Sequence, residues 1–488
     1  MKTIKSLLFF IGISLGVLFA QEPEVHFGPE IGRTKINGVA AKQLPGGFLK
    51  DAYLTYSIEG KINKSLTLFK YDAKLKLISQ RTHVLKHANQ LLRFQKVWVH
   101  DSQIKILTSY ENGSEKKKVL VLFRIEPENL TQVGQVEEVL SLTLPRRIEI
   151  ANFHFATNNK ESVLILFTNL KRFDRDDRLI SLTAFDPEMN IIWQREEAFT
   201  KNAKAKMIKA VKVEPDGSCI LQITQIIQNG TLMSINKGDQ YNFWLYDAKG
   251  NPISSHEYIN QDDNRVSAVL PLITPQGNLL CVGVYIDQEK IVRGIAKLTF
   301  DSEDSKLQSK KLIPFKGNEE AKNWPENLEL NLMGTEQIIQ RPDGGFVLVN
   351  SLSFNYIDQR SSELKSVFAD LLVSSISPDA EFEWTNRIYI PPQTTDYLYV
   401  RDNPNYLTLR PKGIYFFHQK RFEDSEEAKS GIFLSVLKPN GEIRSKDILN
   451  PAFSGASYCP SVLMARKRNR FLGAVEKEGK LYLVALKL

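Results

Sequence analysis

An all-β fold of tandem four-stranded units is what this 488-residue sequence predicts. Three observations carry that expectation. Helical periodicity is nearly absent, while short runs of Leu, Val, Ile and Phe alternate with turn residues. One hairpin pattern, an apolar run followed by an acidic or Pro-containing turn, recurs along the chain, with steps of 54 to 78 residues from Asp72 to Asp379. A second hairpin, marked by Pro-x-Gly, falls between the copies of the first. Each unit therefore holds two successive hairpins. A lone four-stranded sheet leaves one face bare, whereas a ring of such sheets packs every face against a neighbour, as in a β-propeller.

The chain opens with Lys2 and Lys5, then an apolar run from Leu7 to Ala20, then polar Gln21. That order describes a secretory signal peptide over residues 1–20, too short to cross a bilayer as a helix. The expected location is exported, periplasmic or extracellular, with 21–488 forming one domain. The first hairpin type appears at 66–79, 119–133, 179–193, 241–254, 293–308, 370–384 and 431–445. The second has turns LPGGF (44–48), EPDGSC (214–219), TPQGNL (274–279), RPDGGF (341–346) and RPKGIY (410–415). There Pro presets φ and Gly accepts positive φ. Seven units run from Val39 to Asn450, and the eighth, 461–488, has only three strands. Residues 25–36 can supply its missing outer strand, which predicts eight blades closed by an N-terminal strand. Seven blades with an accessory strand pair is the alternative.

Units such as LTAFDPEMNIIW and SSISPDAEFEW resemble the D-x-x-G-x-x-x-W hairpins of bacterial secreted propellers, quinoprotein-like ones included. Ser377, Asp379 and Trp384 also resemble a degenerate Asp-box of sialidase-type propellers, with Glu381 where Gly is expected. The resemblance implies a fold and no activity. Trp occupies the hairpin in two units, at Trp193 and Trp384, so no quinone or other cofactor is expected.

The formal charge of +8 is mild for this length and does not argue for nucleic acid. The three cysteines, Cys219, Cys281 and Cys459, show no CxxC or zinc spacing. Cys219 and Cys281 share parity after equivalent turn glycines, so they face the same way in their repeats and are expected to be buried free thiols. The seven histidines lack metal spacing in a strand or loop setting, and no HExxH, GxSxG, GxGxxG, Walker A or EF-hand motif occurs. No metal and no catalytic residue is assigned.

In such a fold both hairpin turns of a unit lie on one face. The opposite face receives the connections between the second and third strands and between successive units. Its polar stretches include 169–178, 226–240, 316–329, 354–367 and 420–430. Loops on a rigid scaffold are where binding usually resides, although tolerated insertions look the same. Phe173, Trp324, Tyr356 and Phe422 are the candidate binding residues there. The innermost strands carry 11 bases against four acids. Arg93, Lys209, Arg341, Arg410 and Arg466 either line a cationic channel or lie between blades and at turn tips; strand register decides. The function expected is a non-catalytic scaffold for a protein or glycan. Alternatives are a carbohydrate-active hydrolase or lyase with loop-borne carboxylates, and a subunit of an envelope or secretion assembly.

Overall fold

A computed structural model describes residues 24–33, 40–43, 53–59, 65–72, 74–100, 103–143, 153–158, 162–171, 178–199, 206–226, 239–260, 263–274 and 277–289. It further describes 291–301, 305–315, 333–358, 363–388, 393–396, 407–410, 413–421, 430–447, 457–464, 470–477 and 480–487. The signal-peptide expectation falls outside these residues. All secondary structure among them is β.

Among the described residues eight antiparallel sheets of four or more strands follow one another, seven of four strands and one of five, with a two-stranded hairpin beside them. We number the sheets one to eight and letter their strands A to D. Sheet one comprises Ala40–Gln43, Tyr53–Glu59, Ser65–Tyr71 and Leu77–Val84. Sheet two comprises Arg93–His100, Gln103–Asn112, Lys117–Ile125 and Gln132–Thr143. Sheet three is His154–Thr157, Leu164–Lys171, Arg178–Phe185 and Ile191–Phe199. Sheet four is Lys206–Val213, Cys219–Ile226, Asp239–Tyr246 and Pro252–Ile259. Sheet five is Arg265–Ile273, Leu279–Ile286, Val292–Phe300 and Leu307–Pro314. Sheet six holds Met333–Gln340, Phe346–Asp358, Glu363–Ile376 and Phe382–Ile388, with Gln393–Asp396 as a fifth strand on its third. Sheet seven is Leu407–Arg410, Gly413–Arg421, Ser430–Leu437 and Ile443–Asp447. Sheet eight takes Ser457–Met464, Arg470–Lys477 and Lys480–Lys487 from the C-terminus, and Glu24–Arg33 pairs antiparallel with the last of these.

Alternation along each strand explains how the sheets stack, because successive side chains point to opposite faces. Ile104 and Ile106 pack with Leu54, Leu66 and Leu68 of sheet one. Leu107 on the same strand packs with Leu164 and Leu166 of sheet three. The same sharing joins sheets three and four, four and five, five and six, and six and seven. Each fully buried aliphatic side chain contributes roughly 1.5–3 kcal/mol, and each of sheets two to six uses both faces this way. A strands of neighbouring sheets touch, as His154–Thr157 does Lys206–Val213, and Ala40–Gln43 does Ser457–Met464, so the A strands lie innermost. This stacking is a β-propeller. Cys219 faces sheet three and Cys281 faces sheet four, both buried and unpaired, as their shared parity predicts.

The recurring acid of the C–D turn has a mechanical role. Asp72 Oδ1 accepts from the N–H groups of Lys74 (2.8 Å) and Lys76 (2.9 Å), and Asp247 Oδ1 does so from Lys249 and Asn251. One residue per turn adopts positive φ: Leu75, Leu130, Met189, Gly250, Ser305, Ala380 and Gly441. Leu130, Met189 and Ala380 bury their side chains in the seam with the preceding sheet, which offsets a left-handed cost of roughly 1–2 kcal/mol. Gly250 and Gly441 instead receive an indole. A Cβ on Gly250 would lie 2.5 Å from Trp193 of sheet three, and one on Gly441 would lie 2.7 Å from Trp384 of sheet six.

Each seam from sheet one to sheet seven is also tied by a donor that reaches the carbonyls of the next sheet's C–D turn. Lys70 donates to Glu128 O (3.0 Å), and Lys105 to Pro187 O. Arg195 donates to Gly250 O, while His256 Nδ1 lies 3.2 Å from Ser305 O. Lys297 and Lys311 donate to Pro378 O and Asp379 O. Trp384 Nε1 reaches Pro439 O (3.1 Å) and Asn386 reaches Gly441 O (2.7 Å).

Candidate functional site

The face opposite these turns is built first by strand length. In sheet six, strands B and C run on past the end of strand A, pairing from Ser353 with Phe368 to Asp358 with Glu363. Gln393–Asp396 pairs with Phe368 to Lys365 and widens this extension to three strands. Residues 354–367, read from sequence as a polar loop, are therefore largely a hairpin arm. The correction has a physical reason: Leu352, Phe354 and Tyr356 alternate with polar Ser353 and Asn355 at period two, a pattern that suits a pleated ladder better than a coil. Tyr356 sits on this arm opposite Lys365.

At the matching end of sheet two, strands B and C meet in a tight turn at residues 112–117. Asn112 Oδ1 accepts from Ser114 Oγ (2.7 Å) and from Glu115 N–H (3.2 Å), which closes it. Beside it, a two-stranded hairpin, Lys86–His87 with Gln90–Leu91, links sheets one and two through Ala88 and Asn89, both at positive φ. It holds His87 Nε2 3.3 Å from Glu138 Oε1, the oxygen that also accepts from Tyr110 OH at 2.5 Å. The Glu138 hydrogen bond, with burial second, pushes the Tyr110 hydroxyl up to about 12. Lys118 is buried over the Phe153 ring and paired with Glu111 at 3.2 Å. Burial lowers its pKa, and the Glu111 hydrogen bond partly offsets that. In sheet five, Asp287 accepts from Ile291 N–H (3.0 Å) and Arg293 Nε (2.5 Å). These groups are paired internally, and among the described residues no His, Cys, Asp or Glu cluster fit to hold a metal is found.

Of the residues singled out from sequence, Phe173, Trp324, Phe422 and Arg466 lie outside the described residues. Lys209 and Arg410 have defined backbone positions in their A strands. Arg93 is exposed at the start of its A strand. Arg341 is bound at the turn end of sheet six, to Glu383, to Asp343 and to Ser375 Oγ (2.7 Å). Glu383 is held below the usual carboxylate range chiefly by that guanidinium.

Inner-strand bulges went unseen in the sequence. Among the described residues they open between Phe94 and Lys96, Ile208 and Ala210, Ser267 and Leu270, Thr335 and Gln337, and Cys459 and Met464. In sheets two, four and five the bulge lies opposite the middle of strand B, and Lys209 is the extra residue in sheet four. A bulge leaves no mark in composition, since it depends on pairing with a second strand.

No family model matches the chain, and no curated protein does. Among solved structures it is similar to the WD40 domain of SCAP from fission yeast, at 10% identity and a TM-score of 0.39, covering 95% of this chain and 98% of that one. It is similar also to the β-propeller domain of the Trilobed protease from Pyrococcus furiosus (9%, TM-score 0.34, 86% and 97% covered). A third similar structure is the Synechocystis apocarotenoid oxygenase (10%, TM-score 0.32, 96% and 93% covered).

Proposed function

We propose that this protein is an exported, non-catalytic propeller of eight blades, closed by Glu24–Arg33, that binds a protein or glycan through the face opposite its C–D turns. One observation carries the reading: the two faces are used differently. The C–D turns give their carbonyls to the preceding sheet in seam after seam. The opposite face carries the three-stranded arm of sheet six, which runs on past the end of strand A. A projecting element on a rigid support is a recognition device by construction. Eight consecutive sheets, with the A strands of the first and eighth in contact, support the blade count.

The test replaces 354–367 by a two-residue turn and, separately, changes Phe173, Tyr356, Trp324 and Phe422 to Ala. Binding to a glycan panel and pull-down from the native envelope or medium are then measured. Loss of binding with an unchanged melting temperature supports the reading. Full retention in every variant overturns it, and product release abolished by one Asp or Glu change would move the protein to the carbohydrate-active enzymes.

A further inference from the structure

Two of the seams are tied by histidine. His83 of sheet one is buried at 7% exposure against the sheet two turn, where the Leu130 backbone hydrogen-bonds its ring and Nε2 has no partner. His256 of sheet four is 2% exposed, with Nδ1 on Ser305 O and Nε2 2.9 Å from Ser254 Oγ. Both reach the turns that close one residue later than the others, Glu126 N–H to Thr131 O and Asp301 N–H to Lys306 O. The charged groups around His83 are Arg81 on its own strand, Lys70 on the adjacent strand, and Glu126 and Glu128 in the facing turn. Around His256 they are Glu257 on its own strand and, among the described residues of the facing turn, Asp301 and Lys306. The ties of the other described seams are Lys, Arg, Trp and Asn, whose ordinary titration lies outside the range from about pH 5 to pH 8.

We propose that the seams between sheets one and two and between sheets four and five are acid-sensitive hinges that bracket the three-sheet segment Arg93–Ile259. A proton added to His83 places a second N–H at a buried position that offers it no acceptor. Opening the seam gives that N–H to water; His256, whose Nε2 keeps Ser254 Oγ as an acceptor, gains instead by hydrating a charge held at 2% exposure. Burial lowers both histidine pKa values, partly offset by the turn backbone. Opening therefore takes up a proton, and below about pH 6.5 it becomes more favourable by up to about tenfold per pH unit for each histidine.

Hydrogen exchange of the full chain, expressed as protection factors at about pH 7.5 and about pH 5, tests this. Expected is a selective loss of protection at 126–131 and 301–306, absent at 186–190, 247–251, 377–381 and 438–442. In His83→Gln/His256→Gln the selective loss should vanish. A parallel loss at all turns, or an unchanged response in the double variant, overturns the proposal. Should the variant not fold, titration of the two imidazoles by NMR in the unaltered chain decides: midpoints at or above the ordinary histidine value overturn it.

Discussion

At the scale of single residues, the indole–glycine pairs are the sharpest constraint. Trp193 and Trp384 occupy the space where a Cβ would stand on Gly250 and Gly441, both at positive φ. Gly250→Ala should destabilise by about 2–4 kcal/mol, combining left-handed strain with overpacking, as read from denaturant midpoints. Adding Trp193→Ala should relieve the overpacking part without restoring full stability, because the seam then loses an aromatic ring. Arg341 illustrates a weaker contact. It holds Glu383 below its ordinary range, so the folded state binds that proton less readily than the unfolded chain. The pair therefore stabilises above about pH 4.5, and this contribution fades as pH falls through the lowered value. Arg341→Met should cost about 1 kcal/mol or less at neutral pH, given partial exposure, and should flatten the acid limb of the stability curve.

At the scale of elements, the D strands show how an open sheet edge is kept from pairing with another molecule. Aliphatic residues stand exposed near their starts: Ile78 (52%), Val133 (50%), Ile192 (43%) and Ile253 (57%). Charges follow a few residues later, at Arg81, Glu137, Glu196 and Glu257. Such charges oppose edge-to-edge association. Glu196→Val with Glu257→Val should raise aggregation on warming, measured by light scattering, with little change in the unfolding midpoint. The strands themselves were legible because alternation and turn chemistry are local. Pro-x-Gly and Asp-x-x-Gly marked turn positions from 214–218 to 438–442 before any contact was known. The arm of sheet six was misread as loop because alternation holds only over Leu352–Tyr356 and is lost along Glu363–Phe368, where polar residues dominate. The Tyr110–Glu138–His87 contact was not legible at all, since it joins two strands of sheet two that meet across a third and a linking hairpin that lies beside them.

At the scale of the whole molecule, stability rests on seams in series, each an apolar layer plus a donor on the next turn. Glu24–Arg33 joins the two ends of the described chain in one sheet. Its removal leaves Lys480–Lys487 without its outer partner. A chain lacking residues 24–33 should melt lower and form concentration-dependent oligomers in sedimentation velocity, because a bare strand edge is a template for pairing.

The sequence by itself determined the all-β class, the order of the hairpins, the turn residues and that Cys219 and Cys281 face the same way in their repeats. Each of these follows from the two-residue period of a strand and from dihedral preferences that a residue carries with it. Only the tertiary structure decided which turn carbonyl each Lys, Arg, His or Trp ties, where the inner strands bulge, and that Arg341 joins its own sheet's carboxylates. Those outcomes depend on the distance between groups tens of residues apart in the chain, which packing sets and local preference does not.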